Sequence, residues 1–169
     1  MEEIGLEVHE DEAGNVIGIL RGTDPDAPCV MSGSHYDSVI HGGNYDGIGG
    51  VVCSIEMARQ IVESGMEHKR DLVVVGFNDE EGMRFGTGYF GSGAILGHRD
   101  ETYTEQFKDA SGISIAEAMK EYGLDPAKVG DAAWKEGSIG HFVEAHIEQG
   151  PVLDQKELEI GLVTGIVGI

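Results

Sequence analysis

The apolar positions fall into two spacings along the chain, and their order predicts the fold. Leu6-Glu7-Val8-His9 and Asn15-Val16-Ile17-Gly18-Ile19-Leu20 read as strands, joined by the hairpin-turn chemistry of Asp11-Glu12-Ala13-Gly14. Arg21 to Pro28 is a polar loop with two prolines, and an apolar strand starts at Cys29-Val30-Met31. After Gly47, Ile48, Val51, Val52, Ile55, Ala58 and Val62 recur at helical spacing, which predicts a helix with one buried face that stops at Gly65. Asp71 to Phe77 is a continuous apolar run, the type buried on both faces of a parallel sheet.

Further on, Gly82 to Gly97 reads as loop plus a short helix. Ser114 to Tyr122 reads as a helix with Ile115, Ala118, Met119 and Tyr122 on one side, and Asp125-Pro126 opens another. Phe142 to Glu148 and Leu158 to Ile169 read as strands. The alternation predicts an α/β fold with a largely parallel sheet. The sequence stops inside an apolar run, Gly165 to Ile169, whose backbone groups would need partners, so a piece of a longer chain is expected.

Composition narrows the function classes. With 169 residues, 40% of them apolar, the chain suits one domain with a real core. It has no apolar run of about 18 residues, so no membrane span is expected. The acidic start, Met1-Glu2-Glu3-Ile4, is unlike a secretory signal. The formal charge of -20, from 11 basic and 31 acidic residues, argues against nucleic acid and anionic lipid as partners. Cys29 and Cys53 form no C-x-x-C pair and are expected to be buried thiols of a cytoplasmic protein.

The candidate chemistry lies at predicted strand ends and loops: His35, Asp37, Asp46, Glu80, Glu81, His146 and Glu148. Imidazoles with carboxylates suit zinc or a similar divalent ion. A shared carboxylate such as Asp46 could bridge two ions roughly 3.5–4 Å apart. One of the adjacent Glu80 and Glu81 could be a ligand and the other a base. Asp37 could hold the second nitrogen of His35. Each residue alone has a plainer reading. Asp46 could cap the helix, Glu80-Glu81 could be a solvated acidic pair, and His146 and Glu148 could line an exposed strand face. It is their joint placement that favours chemistry. The glycine turn 42–45 lacks the Lys-Ser/Thr of a phosphate loop, and Ser32, Ser34 and Ser92 sit in no G-x-S-x-G elbow.

Three stretches, GSHYDSVIHGGNYDGIGGV, FNDEEGMRFG and HIEQGPVLD, together resemble the amidohydrolase branch of the M20 metallopeptidase family. That branch holds N-carbamoyl-L-amino-acid hydrolases, allantoate amidohydrolases and β-ureidopropionases. The resemblance implies a zinc-peptidase-like three-layer α/β/α domain with a mostly parallel mixed sheet, incomplete here. Residues 1–169 would be part of the catalytic domain, without the lid or dimerisation domain and without the domain's C-terminal part. It implies His35 and His146 as ligands of one metal, Asp46 as the bridging carboxylate and Glu81 as a ligand of the second metal. Glu80 would be the general base, Asp37 would orient His35, and Gln149 would bind substrate. Two divalent ions follow, zinc first, with manganese or cobalt as alternatives. The substrate would be a small carbamoyl or ureido acid, the longer protein a cytoplasmic homodimer, and this chain alone inactive. Ile40-His41 and Gly93 depart from the branch's wording without touching a ligand. The alternatives are an M20 aminoacylase or peptidase, or a non-catalytic metal-binding module.

Overall fold

In the computed structural model, which describes residues 1–166, five strands form one sheet. They are β1 (Glu7–Glu10), β2 (Val16–Leu20), β3 (Cys29–His35), β4 (Leu72–Phe77) and β5 (Ile139–Val143), in the spatial order β1-β2-β4-β3-β5. The hairpin β1–β2 adds antiparallel to β4, whereas β4, β3 and β5 run parallel to one another. The sheet is mixed, and its parallel half carries every candidate residue. Five helices accompany it: α1 (Ile48–Ser64), α2 (Phe90–Ile95), α3 (Glu101–Gln106), α4 (Ile115–Tyr122) and α5 (Val152–Gln155).

The run Leu72–Phe77 is central because both its faces are covered. Val73, Val75 and Phe77 meet Ile17, Met31 and Ile95 on one side, and Val74 meets Leu6 and Ala58 on the other. This alternation divides the domain into three layers, α1 over one face and α2 over the other. Each fully buried valine here contributes roughly 1.5–3 kcal/mol. A second core joins α2 to α4 through Phe90, Ala94, Ile115 and Met119.

Helix α1 spans the expected residues and ends on Gly65 in the left-handed conformation, but its buried stripe differs from the apolar pattern. Gly50, Val51, Ser54 and Ala58 face the sheet, while Val52 and Val62 are 56% and 40% exposed. Small residues let the helix lie close, and Ser54 bonds Ser32 of β3 at 2.8 Å in place of apolar packing. Cys53 is exposed on the outer side, contrary to expectation, while Cys29 is buried.

Two strand expectations change. The strand sought at Phe142–Glu148 is β5, Ile139–Val143, because pairing with β3 ends at Ser32 and Val143 and the chain then leaves the ladder. Residues 158–166 form no strand and are exposed, and 167–169 lie outside the described residues. The short α3 was not anticipated. Its six residues, capped by Asp100, are too few to show a period. The capping box of Ser114 and Glu117 on α4 and the Asp125 cap of the 3-10 turn Pro126–Ala132 follow the sequence signals.

Asn15 is fully buried where the hairpin, β4 and α2 meet. Its side-chain amide donates to Asp11 Oδ2 at 2.8 Å and to the Gly91 carbonyl at 3.1 Å. Its oxygen accepts from Asn78 N at 3.0 Å. Asn15→Ala should leave these groups unpaired, each at about 1–3 kcal/mol. We expect a loss of roughly 3 kcal/mol or more, read as a lowered urea midpoint at unchanged slope. A midpoint equal to wild type would show that this junction does not hold the layers together.

Candidate metal centre

Parallel pairing of β3 with β4 and β5 brings their carboxyl ends to one edge of the sheet, where open α/β sheets hold ligands. His35 ends β3, residues 78–81 follow β4, and residues 144–146 follow β5. Asp46 reaches the same edge by the loop that turns at Gly47 into α1. Gly47 has φ +65°, and a Cβ there would stand 2.3 Å from the His35 ring. Glycine is therefore required both by the left-handed backbone and by the imidazole's approach. Gly47, not Asp46, occupies the N-cap of α1, and no side chain caps that helix. Asp46 is 3% exposed and turns inward.

His35 Nδ1 lies 2.8 Å from the Asp37 carbonyl oxygen, and His146 Nδ1 lies 2.8 Å from that of Ile147. A carbonyl only accepts, so each Nδ1 carries a proton and donates it, and each neutral ring keeps its lone pair on Nε2. The two Nε2 atoms face each other at 3.4 Å. Asp46 Oδ1 stands 3.5 Å from His146 Nε2 and 4.0 Å from His35 Nε2. Two lone pairs and a carboxylate oxygen in mutual contact call for a cation among them. Tetrahedral ligands bound to zinc at about 2.0–2.2 Å sit roughly 3.3–3.5 Å apart, so the 3.4 and 3.5 Å separations fit one shared ion, and the 4.0 Å separation of Asp46 from His35 is wider than that geometry. His35, Asp46 and His146 are thus a group able to hold a metal.

Asp37 knots the site to the neighbouring strand. Its Oδ1 accepts from Glu80 N and its Oδ2 from Glu81 N, both at 3.0 Å. Burial raises its carboxyl, but His35 and the two N–H groups outweigh this and hold it below the usual range. Hydrogen bonding to Asp37 in turn pushes the His35 imidazole up to about 9, against the opposing effect of burial. The Asp37 carboxylate is 3.5 Å from His35 Nδ1, so its own carbonyl, at 2.8 Å, makes the contact that sets the tautomer.

Of the other candidates, Glu81 brings Oε1 to 3.9 Å from His35 Nε2. Gln149, at φ +53°, donates from Nε2 to Asp46 Oδ1 at 3.2 Å. Glu80 is turned to the start of α2, where Ser92 donates to its carboxylate through both N–H and Oγ–H. Burial raises the Glu80 carboxyl and the Ser92 bonds offset part of that rise. Asp79, at φ +48°, is pushed up to about 6 by burial and by the charges of Asp37 and Glu80. Glu148 accepts from Val152 N and Leu153 N and serves as a local turn residue. Ser92, dismissed as a nucleophile, and Ser34, which donates to Glu144 Oε1 at 2.5 Å, were missed as partners of site carboxylates. No local pattern marks either one, since both contacts join distant segments.

The family model for Peptidase family M28 matches residues 15–113. An N-carbamoyl-L-amino acid amidohydrolase of Geobacillus stearothermophilus is 48% identical over 169 residues, covering 100% of this chain and 41% of that protein. An allantoate amidohydrolase of Bacillus subtilis (strain 168) is 39% identical over 168 residues, covering 99% of this chain and 40% of its own length. A crystal structure of a hydantoinase/carbamoylase family amidase from Burkholderia ambifaria superposes with a TM-score of 0.80 at 31% identity, over 92% of this chain and 37% of that one. The chain thus spans about two fifths of the length of these relatives. It belongs to the peptidase M28/M20-like amidohydrolase family.

Proposed function

We propose that this chain supplies the metal-binding part of an amidohydrolase that cleaves the carbamoyl C–N bond of N-carbamoyl amino acids or related ureido acids. The observation that carries the reading is the pair of Nε2 lone pairs facing each other beside Asp46. The relatives of 48% and 39% identity are an N-carbamoyl-L-amino acid amidohydrolase and an allantoate amidohydrolase, whose names both denote ureido acids. His35, Asp46 and His146 would hold one divalent ion, and Glu81, with Asp46 shared, a second. Zinc suits this nitrogen and oxygen set, with manganese or cobalt as alternatives. When bound, the ions would act as Lewis acids toward the carbamoyl oxygen and make water a nucleophile near neutral pH.

The chain's own groups supply the rest. Glu80 accepts the proton of the attacking water, and its burial raises its basicity toward what that step needs. Ser92 holds the Glu80 carboxylate by two bonds. Asp37 fixes the His35 tautomer and ties the Glu80-Glu81 backbone to the end of β3. Gln149 would bind the substrate, a role supported by its bond to Asp46. The partner is a small ureido acid, and the longer protein is a homodimer.

Two experiments test this reading. In a polypeptide spanning the relatives' full length, Glu80→Gln should keep its metal and lose about 10²–10⁴-fold in ammonia release from an N-carbamoyl amino acid. Glu81→Gln should lose metal instead, and equal metal loss from both would reject the division of roles. The second measurement uses the chain itself. Without an ion, the His35 imidazole, pushed up to about 9, takes a second proton on Nε2 at neutral pH, and an incoming ion displaces it to reach the lone pair. Zinc affinity, measured by competition with a chelator, should therefore rise up to about tenfold per pH unit from 6 to 9 and then level off. A flat profile would show that His35 is not a ligand.

A further inference from the structure

We propose that the hydrogen bond from Ser34 to Glu144 is the positioning device that holds His146 in the metal centre. The inference rests on the metal-centre reading above and assigns two residues that reading does not use. His146 sits on an irregular, exposed segment, 144–150. The last rung of the ladder pairs Ser32 with Val143. Outside that ladder, among the described residues, no backbone hydrogen bond joins 145–150 to the body of the domain. What fixes a ligand on such a segment must therefore be side chains.

Four side-chain contacts cross from the segment to the domain: His146 to His35, His146 to Asp46, Gln149 to Asp46, and Glu144 to Ser34. The first three end on ligand atoms. His35 Nε2 and His146 Nε2 cannot bond each other once an ion takes both lone pairs, and Asp46 Oδ1 is the oxygen that Gln149 reaches. Only the Ser34–Glu144 contact uses atoms outside the ligand set, so only it can hold the segment whether or not an ion is bound. At 2.5 Å it is a hydroxyl bonded to a carboxylate, the strong charge-assisted type.

Its place is also suited to the task. Ser34 is fully buried, bonds no other partner and precedes His35 by one residue, while Glu144 precedes His146 by two. The bond therefore spans the same gap as the two Nε2 atoms. From the other side Gly50 admits the segment. A Cβ at Gly50 would stand 2.1 Å from the Ala145 carbonyl oxygen and 2.8 Å from Ser34 Cβ. Ala145 is thus seated between a glycine of α1 and the Ser34 tether.

Zinc affinity of the chain, read by competition with a chromophoric chelator, tests this. Ser34→Ala and Glu144→Ala should each weaken binding about 10–100-fold, the usual cost of losing a partner that orients a ligand. Glu144→Gln, whose amide oxygen still accepts, should stay within about threefold of wild type. In a His146→Ala background Ser34→Ala should cost nothing further, because the ligand it positions is gone. Affinities of Ser34→Ala and Glu144→Ala within about threefold of wild type would overturn the proposal. So would a Ser34→Ala loss of equal size without His146. Glu144→Gln as weak as Glu144→Ala would replace the hydrogen bond by charge and overturn it too. Zinc uptake by no form, wild type included, would sink the metal-centre reading itself. Backbone order from ¹⁵N relaxation at 144–147 then decides the tether alone. A fall from about 0.85 to below about 0.6 in Ser34→Ala supports it, and unchanged order refutes it.

Discussion

Everything at the working edge of the sheet is referred to the Asp37 carboxylate. By accepting the N–H groups of Glu80 and Glu81 with separate oxygens, it locks the loop after β3 to the loop after β4. Parallel pairing alone brings those loops to the same edge but leaves their approach free. With the lock in place, the carbonyl of Asp37 meets His35 Nδ1 and the ring presents Nε2 inward. The carboxyls of Glu80 and Glu81 then leave the same anchored turn in different directions, one toward Ser92 and the other toward His35. One half-buried residue thus sets a tautomer through its carbonyl and anchors two adjacent acids through its carboxylate.

The elements legible in the sequence were those whose signal is local. The β4 run is apolar through and through, Gly65 stops α1, and Ser114 with Glu117 marks the start of α4. The candidate ligands were legible for a related reason, since strand-end position is a local property. What escaped was set by distant partners. Nothing near Val143 says that β5 must end there, because its last ladder partner, Ser32, lies far away in the sequence. The buried stripe of α1 was misjudged because Ser54 finds a hydroxyl on β3, and a hydroxyl leaves no trace in an apolar pattern. Likewise the destination of Glu80 depends on Ser92, on the short helix expected within Gly82–Gly97, whose hydroxyl carries no local sign of its partner.

The same division separates β5 from the rest of the sheet. β3 and β4 are buried from end to end apart from Val30 and Leu72, whereas Gly140 to Val143 are exposed. The β5 ladder is therefore held by backbone pairing with little apolar cover, with Phe142 against Phe77 at 5.9 Å between ring centroids as its aromatic contact. A ligand carried just beyond such a strand inherits its looseness unless something else restrains it.

The facing Nε2 atoms have a consequence for what the word stability means in this protein. On the proposed reading, a cation binds the native arrangement and finds no matching site in the unfolded chain. Mass action then makes free ion concentration a variable of the folding equilibrium, adding about 2.7 kcal/mol when the ion is at 100 times its dissociation constant. The buried core of Val73, Val74 and Val75 touches no such ion, yet it folds together with the edge of the sheet that would hold one. A cell that changed its supply of divalent ions would thereby regulate how much of this domain is ordered, without touching its sequence or its temperature.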